Sequence, residues 1–255
     1  MATPRPYILA ETNWQFIKDT AFEVAVLPWG ATEAHNYHLP YGTDNYQCDY
    51  VATEAARLAW AQGARLTVLP TIPFGVNTGQ LDIALDINMS PSTQLAILRD
   101  VVRVLDRQGV PKLLVLNGHG GNDFRQILRE LQAEFPRVFL CTANWFKAAD
   151  RTQFFEAPGD HADELETSVM LHIAPQLVRP LTEAGSGAAK QFRLRALREW
   201  AWAQREWSQV TADTGVGDPS AATAAKGAAF LQAVTAELAQ FLVELAAADP
   251  TDMYA

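Results

Sequence analysis

Two histidines and two carboxylates stand within twelve residues of this chain, at Glu33, His35, His38 and Asp44. The sequence has five histidines in all, and four of them fall in three short segments rich in glycine or acid. One is this cluster. The second is Asn-Gly-His-Gly-Gly-Asn at 117–122, and the third is Asp-His-Ala-Asp-Glu-Leu-Glu at 160–166. Imidazole and carboxylate are the groups that hold Zn²⁺, Mn²⁺ or Fe²⁺. A site gathered from three distant segments is what a metallohydrolase requires.

Within the first segment, Glu33 and His35 are two residues apart and address the same side of an extended chain. His38 follows as a ligand, a support or a substrate contact. Asp44 comes after Pro40, Gly42 and Thr43, residues that turn a chain back, and one returning carboxylate can bridge two cations. The bland alternative is an exposed polar loop. In the second segment three glycines let the backbone come close to a ligand around His119. Their spacing fits neither a P-loop nor a dinucleotide fingerprint, so the competing readings are a tight turn or an anion nest. In the third, a helix opening near Ala162 puts His161 at its positive end, where an imidazole pKa falls and proton transfer near neutral pH is favoured. A solvated acidic first turn is the alternative there. His172 lies in an apolar run without acidic company and reads as structural.

Elements must position these segments. Short β-type runs recur at 23–27, 65–69, 112–116 and 137–142, with helical patterns between them. Those patterns cover 49–62, then a helix with Ser90 as N-cap and Pro91 in its first turn ending at Gly109, then 123–134. Alternation of this kind predicts a layered α/β fold with a largely parallel sheet. Two of the acid/His segments follow strands, and open α/β sheets bind ligands at the carboxyl ends of their strands. Residues 182–189 read as a loop. Residues 190–209, with Phe192, Trp200, Trp202 and Trp207, carry helical propensity and read as core or oligomer contacts. Trp145, directly after a strand, is a candidate to line the pocket. A long Ala-rich helix is expected from about 219 to 247.

The composition excludes several classes. The net charge of −9 and pI of about 5.0 disfavour nucleic acid and anionic membrane, both of which reward clustered Lys and Arg. Two cysteines without a CxxC pair argue against a disulfide framework. The N-terminal residues lack a signal pattern, and no apolar run is expected to approach the roughly 20 residues of a membrane span. The expectation is a cytoplasmic protein of one domain over residues 1–255, with 49% hydrophobic residues to build its core.

Glu-x-His-x-x-His-Leu-Pro-x-x-x-Asp at 33–44, Asn-Gly-His-Gly-Gly-Asn at 117–122 and His-Ala-x-Glu-x-Glu-Thr-Ser at 161–168 resemble the creatininase (creatinine amidohydrolase) family. So does Gly-Val-Gly-Asp-Pro at 215–219, with Ala224, Lys226 and Gly227 behind it. The motifs are in order and cover about residues 20–235. The resemblance implies a three-layer α/β/α fold and two divalent metal ions, Zn²⁺, Mn²⁺ or Fe²⁺. It implies hydrolysis of a non-peptide C–N bond in a small-molecule amide, cyclic or formamide, and a homo-oligomer, commonly a hexamer. Carried over by residue, Glu33, Asp44 and His119 hold one ion. His35 and Asp44 hold the other, and His161 matches the proton-transferring histidine, with Glu164 beside it. The creatinine-hydrolysing branch has a glutamate where Gly121 stands here, so Glu166 is the candidate to complete the second ion. Asn36-Tyr37 replaces the usual Gly-Pro, and 84–88 replaces a Phe-Pro-Gly-Thr-like stretch. Both point away from creatinine itself. Tyr37 and His38 join Trp145 as pocket candidates.

The expected chemistry is attack on the amide carbonyl by a metal-activated water, with the developing oxyanion stabilised by the cations. Rival readings are O₂ chemistry on a mononuclear iron triad, a non-catalytic metal- or ligand-binding homo-oligomer, and the trimming of a small peptide precursor.

Overall fold

The computed structural model describes residues 4–255. Four parallel strands form its central sheet in the order β2-β1-β3-β4: β1 (Val24–Trp29), β2 (Leu66–Val68), β3 (Lys112–Asn117) and β4 (Phe139–Asn144). Every residue of β1, β2 and β3 is buried. These strands therefore read as continuous apolar runs rather than alternating ones, because both faces of a parallel sheet are covered.

The covering layers follow from sequence. After the short α1 (Trp14–Lys18), α2 (Thr43–Ala61) supplies Cys48, Val51, Ala52, Ala55, Ala56 and Ala59 to one face of the sheet. On the other face, α3 (Pro91–Gln108) buries Leu98, Val102 and Leu105, and α4 (Arg125–Glu134) buries Ile127, Leu128 and Leu131. Pro91 opens α3, and Gly109 closes it at φ 74°, a left-handed cap that glycine adopts without strain. A small antiparallel pair, β5 (Gly159–His161) with β6 (Val216–Gly217), brackets α5 (Glu164–Ile173), α6 (Arg195–Glu199) and α7 (Trp207–Val210). The last helix, α8 (Ala224–Ala247), lies with α5 on the α2 side. Each fully buried Val, Leu or Phe in these layers contributes about 1.5–3 kcal/mol.

Lys112 is 3% exposed although it begins a central strand. Its Nζ donates to the Leu245 and Ala246 carbonyls at 2.8 and 2.7 Å, capping the negative end of α8.

Three expectations are corrected. First, α2 opens at Thr43 rather than 49, so Asp44 sits in the first turn of a helix instead of on a returning loop. Second, α8 is long and apolar enough, by length and composition, to cross a membrane. Here Phe230, Leu231, Val234, Leu238 and Leu242 pack it into the core instead. Third, 190–209 forms only the short α6 and α7. Trp200 and Trp202 are 77% and 82% exposed, so no apolar face anchors a longer helix.

Candidate metal centre

Strand order places the switch point between β1 and β3, since the chain leaves β1 for β2 on one side and returns to β3 on the other. Trp29, Asn117 and Asn144 are level at the carboxyl ends of β1, β3 and β4. The crevice beyond them is the expected ligand position in such a sheet. The chain after β1 brings Glu33 and His35, the first turn of α2 brings Asp44, the loop after β3 brings His119, and β5 with α5 brings His161 and Glu166.

Each loop has a local reason for its shape. Asn36 turns the chain after His35 at φ 55°, a region asparagine tolerates, and its Oδ1 accepts from Gly185 N at 2.7 Å. The two asparagines of the 117–122 motif are structural. Asn117 accepts from His119 N at 3.1 Å and from Asn122 Nδ2 at 3.0 Å, while Asn122 accepts from Val76 N at 3.0 Å. Gly121 is obligatory: a Cβ there would lie 2.4 Å from both His119 Nε2 and the Val76 carbonyl. Asp163 caps α5 by accepting from Glu166 N at 3.1 Å.

The three imidazoles are oriented alike. His35 Nδ1 donates to the Glu33 carbonyl at 3.0 Å, His119 Nε2 to the Val76 carbonyl at 3.1 Å, and His161 Nε2 to the Ala34 carbonyl at 2.8 Å. A carbonyl only accepts, so in each neutral ring the other nitrogen is a bare lone pair. Those lone pairs face carboxylates. His119 Nδ1 is 2.9 Å from Glu33 Oε1 and 3.1 Å from Asp44 Oδ2. His35 Nε2 is 3.2 Å from Asp44 Oδ1 and 3.9 Å from Glu166 Oε2, and His161 Nδ1 is 3.8 Å from Glu33 Oε1. Acceptor facing acceptor at such distances requires a proton or a cation between them. Glu33 Oε1 and Asp44 Oδ2 are buried without a hydrogen-bond donor. Three triplets present converging ligand atoms: Glu33–Asp44–His119, His35–Asp44–Glu166 and Glu33–His35–His161. This donor set suits a divalent ion at bond lengths of about 2 Å.

The electrostatics agree. Burial alone would lower His35, but Asp44, with Glu166 and Glu33, overrides it and pushes the imidazole up to about 10. Burial likewise opposes the rise at His119, where Glu33 and Asp44 hold it well above the usual value. Burial would raise Glu33, and the surrounding histidines drive it well down instead. Burial raises Glu166 to about 8, with Asp44 and Asp163 adding to the effect against His35. His161 is lowered by burial and by its stacking partner His35, 4.2 Å away ring to ring.

A cavity of about 1160 Å³ opens onto the cluster, with Glu33, His119 and His161 in its wall. Among the other candidates, Trp145 does not line it. Its ring is 1% exposed and packs against Phe146 and Phe230 in the core, because the strand register turns it inward under α8. Glu164 does not face it either. This carboxylate pairs with Lys226 Nζ at 2.5 Å and accepts from Glu156 N and Ala157 N at 2.8 Å. His38 is buried with Nε2 on Thr167 Oγ1 at 2.8 Å, and burial beside His35 lowers it to about 4. Tyr37 is 58% exposed and donates to the Ala212 carbonyl.

Sequence reasoning missed Gln80, whose amide donates to Glu33 Oε2 and fixes which oxygen faces the histidines. It also missed Asp86, which accepts from Ala34 N at 2.7 Å and so steadies the residue whose carbonyl holds His161. Burial raises this carboxyl to about 7. Neither residue has a histidine nearby in sequence, so no local pattern marked them.

Fold and site together define an α/β protein with a buried histidine–carboxylate cluster able to hold metal. The chain belongs to the creatininase family, described as creatinine amidohydrolase, which residues 10–242 match. It is 32% identical over 217 residues to a mycofactocin precursor peptide peptidase of Mycobacterium ulcerans, covering 79% of this chain and 77% of that one. A Bacteroides fragilis protein described as a candidate creatinine amidohydrolase superposes with a TM-score of 0.92 at 42% identity, covering 99% and 100% of the two chains. A manganese form of creatininase gives a TM-score of 0.77 at 21% identity over 93% and 98% of the chains, showing the shared fold.

Proposed function

We propose that this chain hydrolyses the C–N bond of a small amide at a pair of divalent ions. In this reading Glu33, Asp44 and His119 hold one ion, and His35, Asp44 and Glu166 hold the other. Bound there, such ions lower the pKa of a water toward about 7 and polarise a carbonyl. The single observation that carries the reading is His119 Nδ1 aimed at Glu33 Oε1 and Asp44 Oδ2, two buried carboxylate oxygens with no other donor, beside His35 Nε2 facing Asp44 Oδ1.

The chain's own groups divide the remaining work. Gln80 keeps Glu33 turned toward the histidines. His161 stands in the cavity wall with Nε2 fixed on the Ala34 carbonyl, so Nδ1 is the atom free to take a proton from the attacking water. Its lowered pKa leaves it neutral at pH 7 and ready to act as that base. It then returns the proton to the leaving nitrogen. Glu164 is tied to Lys226 and takes no part in the relay. The substrate lies among the wall residues, a cyclic amide or formamide being the first class to test.

A second reading, cleavage of a short peptide, is favoured by the 32% identity to a peptide peptidase and by a cavity above the roughly 300–1,000 Å³ usual for small ligands. We extend the proposal to assembly as a homo-oligomer, with a hexamer first in line. Tyr41, Phe74, Leu85 and Ile87 remain exposed and supply apolar contact surface.

The test is metal content together with turnover on a panel of cyclic amides, formamides and short peptides. Protein that binds no divalent ion, or binds ions but opens none of these bonds, refutes the reading.

A further inference from the structure

We infer that Lys147 receives a substrate carboxylate, so that the amide opened here carries an anionic group, an N-acyl amino acid being the simplest class. This rests on the reading of the cluster as an amide-hydrolysing centre and adds the charge of what it takes.

The cavity reaches from the buried cluster to the surface, since buried Glu33 and His161 and exposed Lys147 line it together. Two other cations line it, each beside a carboxylate. Arg125 is matched by Asp123, at 2.9 and 2.8 Å, and Arg205 by Asp160 at 3.0 Å. Lys147 alone among these lining cations has no carboxylate within ion-pair reach among the described residues. Lys226 pairs with Glu164 and Glu156 and Lys112 with two carbonyls, while Lys18 and Lys190 also lack an ion-pair partner among the described residues; of these unmatched lysines only Lys147 lines the cavity.

Its position is also fixed. Lys147 ends the single turn Trp145–Lys147 that follows β4 directly, and Trp145 anchors that turn in the core. Thr142 and Asn144 of the same strand end stand in the same wall. The backbone that carries Lys147 is therefore fixed in the wall, and the large cavity volume beside it accommodates the substrate's body. A carboxylate is the partner that an unmatched ammonium in a cavity wall binds best.

The experiment compares binding of hippurate, an N-acyl amino acid, with that of its neutral amide, hippuramide, by calorimetry. Zinc-loaded and metal-free wild type, K147M and K147R are measured. Hippurate is expected to bind wild type about fivefold more tightly than hippuramide, in both metal states. K147M should abolish the preference and K147R should keep it. Equal or no binding of the two probes by wild type, or a preference that survives K147M, overturns the inference. A zinc-loaded protein that prefers hippurate through Lys147 yet hydrolyses no amide would instead count against the catalytic reading and leave the carboxylate site standing.

Discussion

His119 Nδ1 lies 2.9 Å from Glu33 Oε1 while Nε2 is directed at the Val76 carbonyl, so in the neutral ring the contact with Glu33 has no proton of its own. The same arrangement recurs at His35 and Asp44. A cation satisfies both contacts at once. Replacing His119 with Ala removes one corner of that arrangement. The variant should lose most of its bound metal. Turnover should fall at least about 10²-fold, because each tenfold corresponds to about 1.4 kcal/mol and an ion supplies several. Metal analysis beside kinetics checks this, and unchanged metal content with unchanged rate would refute it.

Metal uptake should release protons. Without a cation, His35 is raised to about 10 and Glu166 to about 8, so both carry protons at neutral pH. Divalent ions must displace them. Affinity should therefore fall as pH drops from about 8.5 to about 6.5, by up to about tenfold per unit for each proton displaced. Zinc titrations at the two pH values, with proton release followed in weak buffer, measure it. A flat profile would contradict the assignment.

Gln80→Leu should loosen the centre without unfolding the protein. Glu33 Oε2 loses its donor and the carboxylate is free to rotate. Loss of such a supporting hydrogen bond costs about 10–100-fold in metal affinity. Competition with a chelator reads the change, and a melting temperature close to wild type in the metal-free form separates it from misfolding.

Lys226→Met should destabilise the fold mainly above the acid range. Glu164 is fully buried, and burial would raise its pKa, but Lys226 and two backbone amides hold it below the usual value. A lowered carboxyl stabilises above its unfolded value of about 4.5 and loses that contribution as pH falls through its folded value. Breaking such a pair is destabilising because it leaves the Glu164 carboxylate buried without its cation. Urea unfolding at about pH 7 and about pH 4 should show the difference shrinking at the lower value. Glu164→Gln combined with it should recover much of the loss.

Gly227→Ala tests the contact of α8 with α5. A Cβ at this position would stand 2.0 Å from the Ser168 carbonyl oxygen and 2.4 Å from its carbon. Both neighbours are backbone and cannot move aside, so the helices must separate at a cost of about 2–4 kcal/mol. Denaturant midpoints report it.

Much of this was legible beforehand. Strands β1, β3 and β4 showed as apolar runs, and the Pro91 and Gly109 signals bounded α3, because local sequence sets both. The clustering of His35, His119 and His161 was visible because imidazole is rare and its neighbours in sequence are acids or glycines. What escaped depends on tertiary placement. Gln80 reaches Glu33 across 47 positions, and nothing near it in sequence announces a partner. Trp145 looked like a pocket residue from its place after a strand, yet the side toward which it turns is set by how α8 packs, and that lies about eighty residues further on. Residues 190–209 failed as a helix for the complementary reason: propensity without a surface to cover does not hold a helix together.

The carbonyls that fix the three rings come from Glu33, Ala34 and Val76, and the rings from segments that end at His161. No stretch of a few dozen residues contains a usable cage. An extended chain therefore offers an ion only scattered single ligands, and capture must wait until sheet and α5 have met. On the proposed reading, loading with metal would be a late event in the life of each molecule, and adding the ion to folded, empty protein would be enough to activate it.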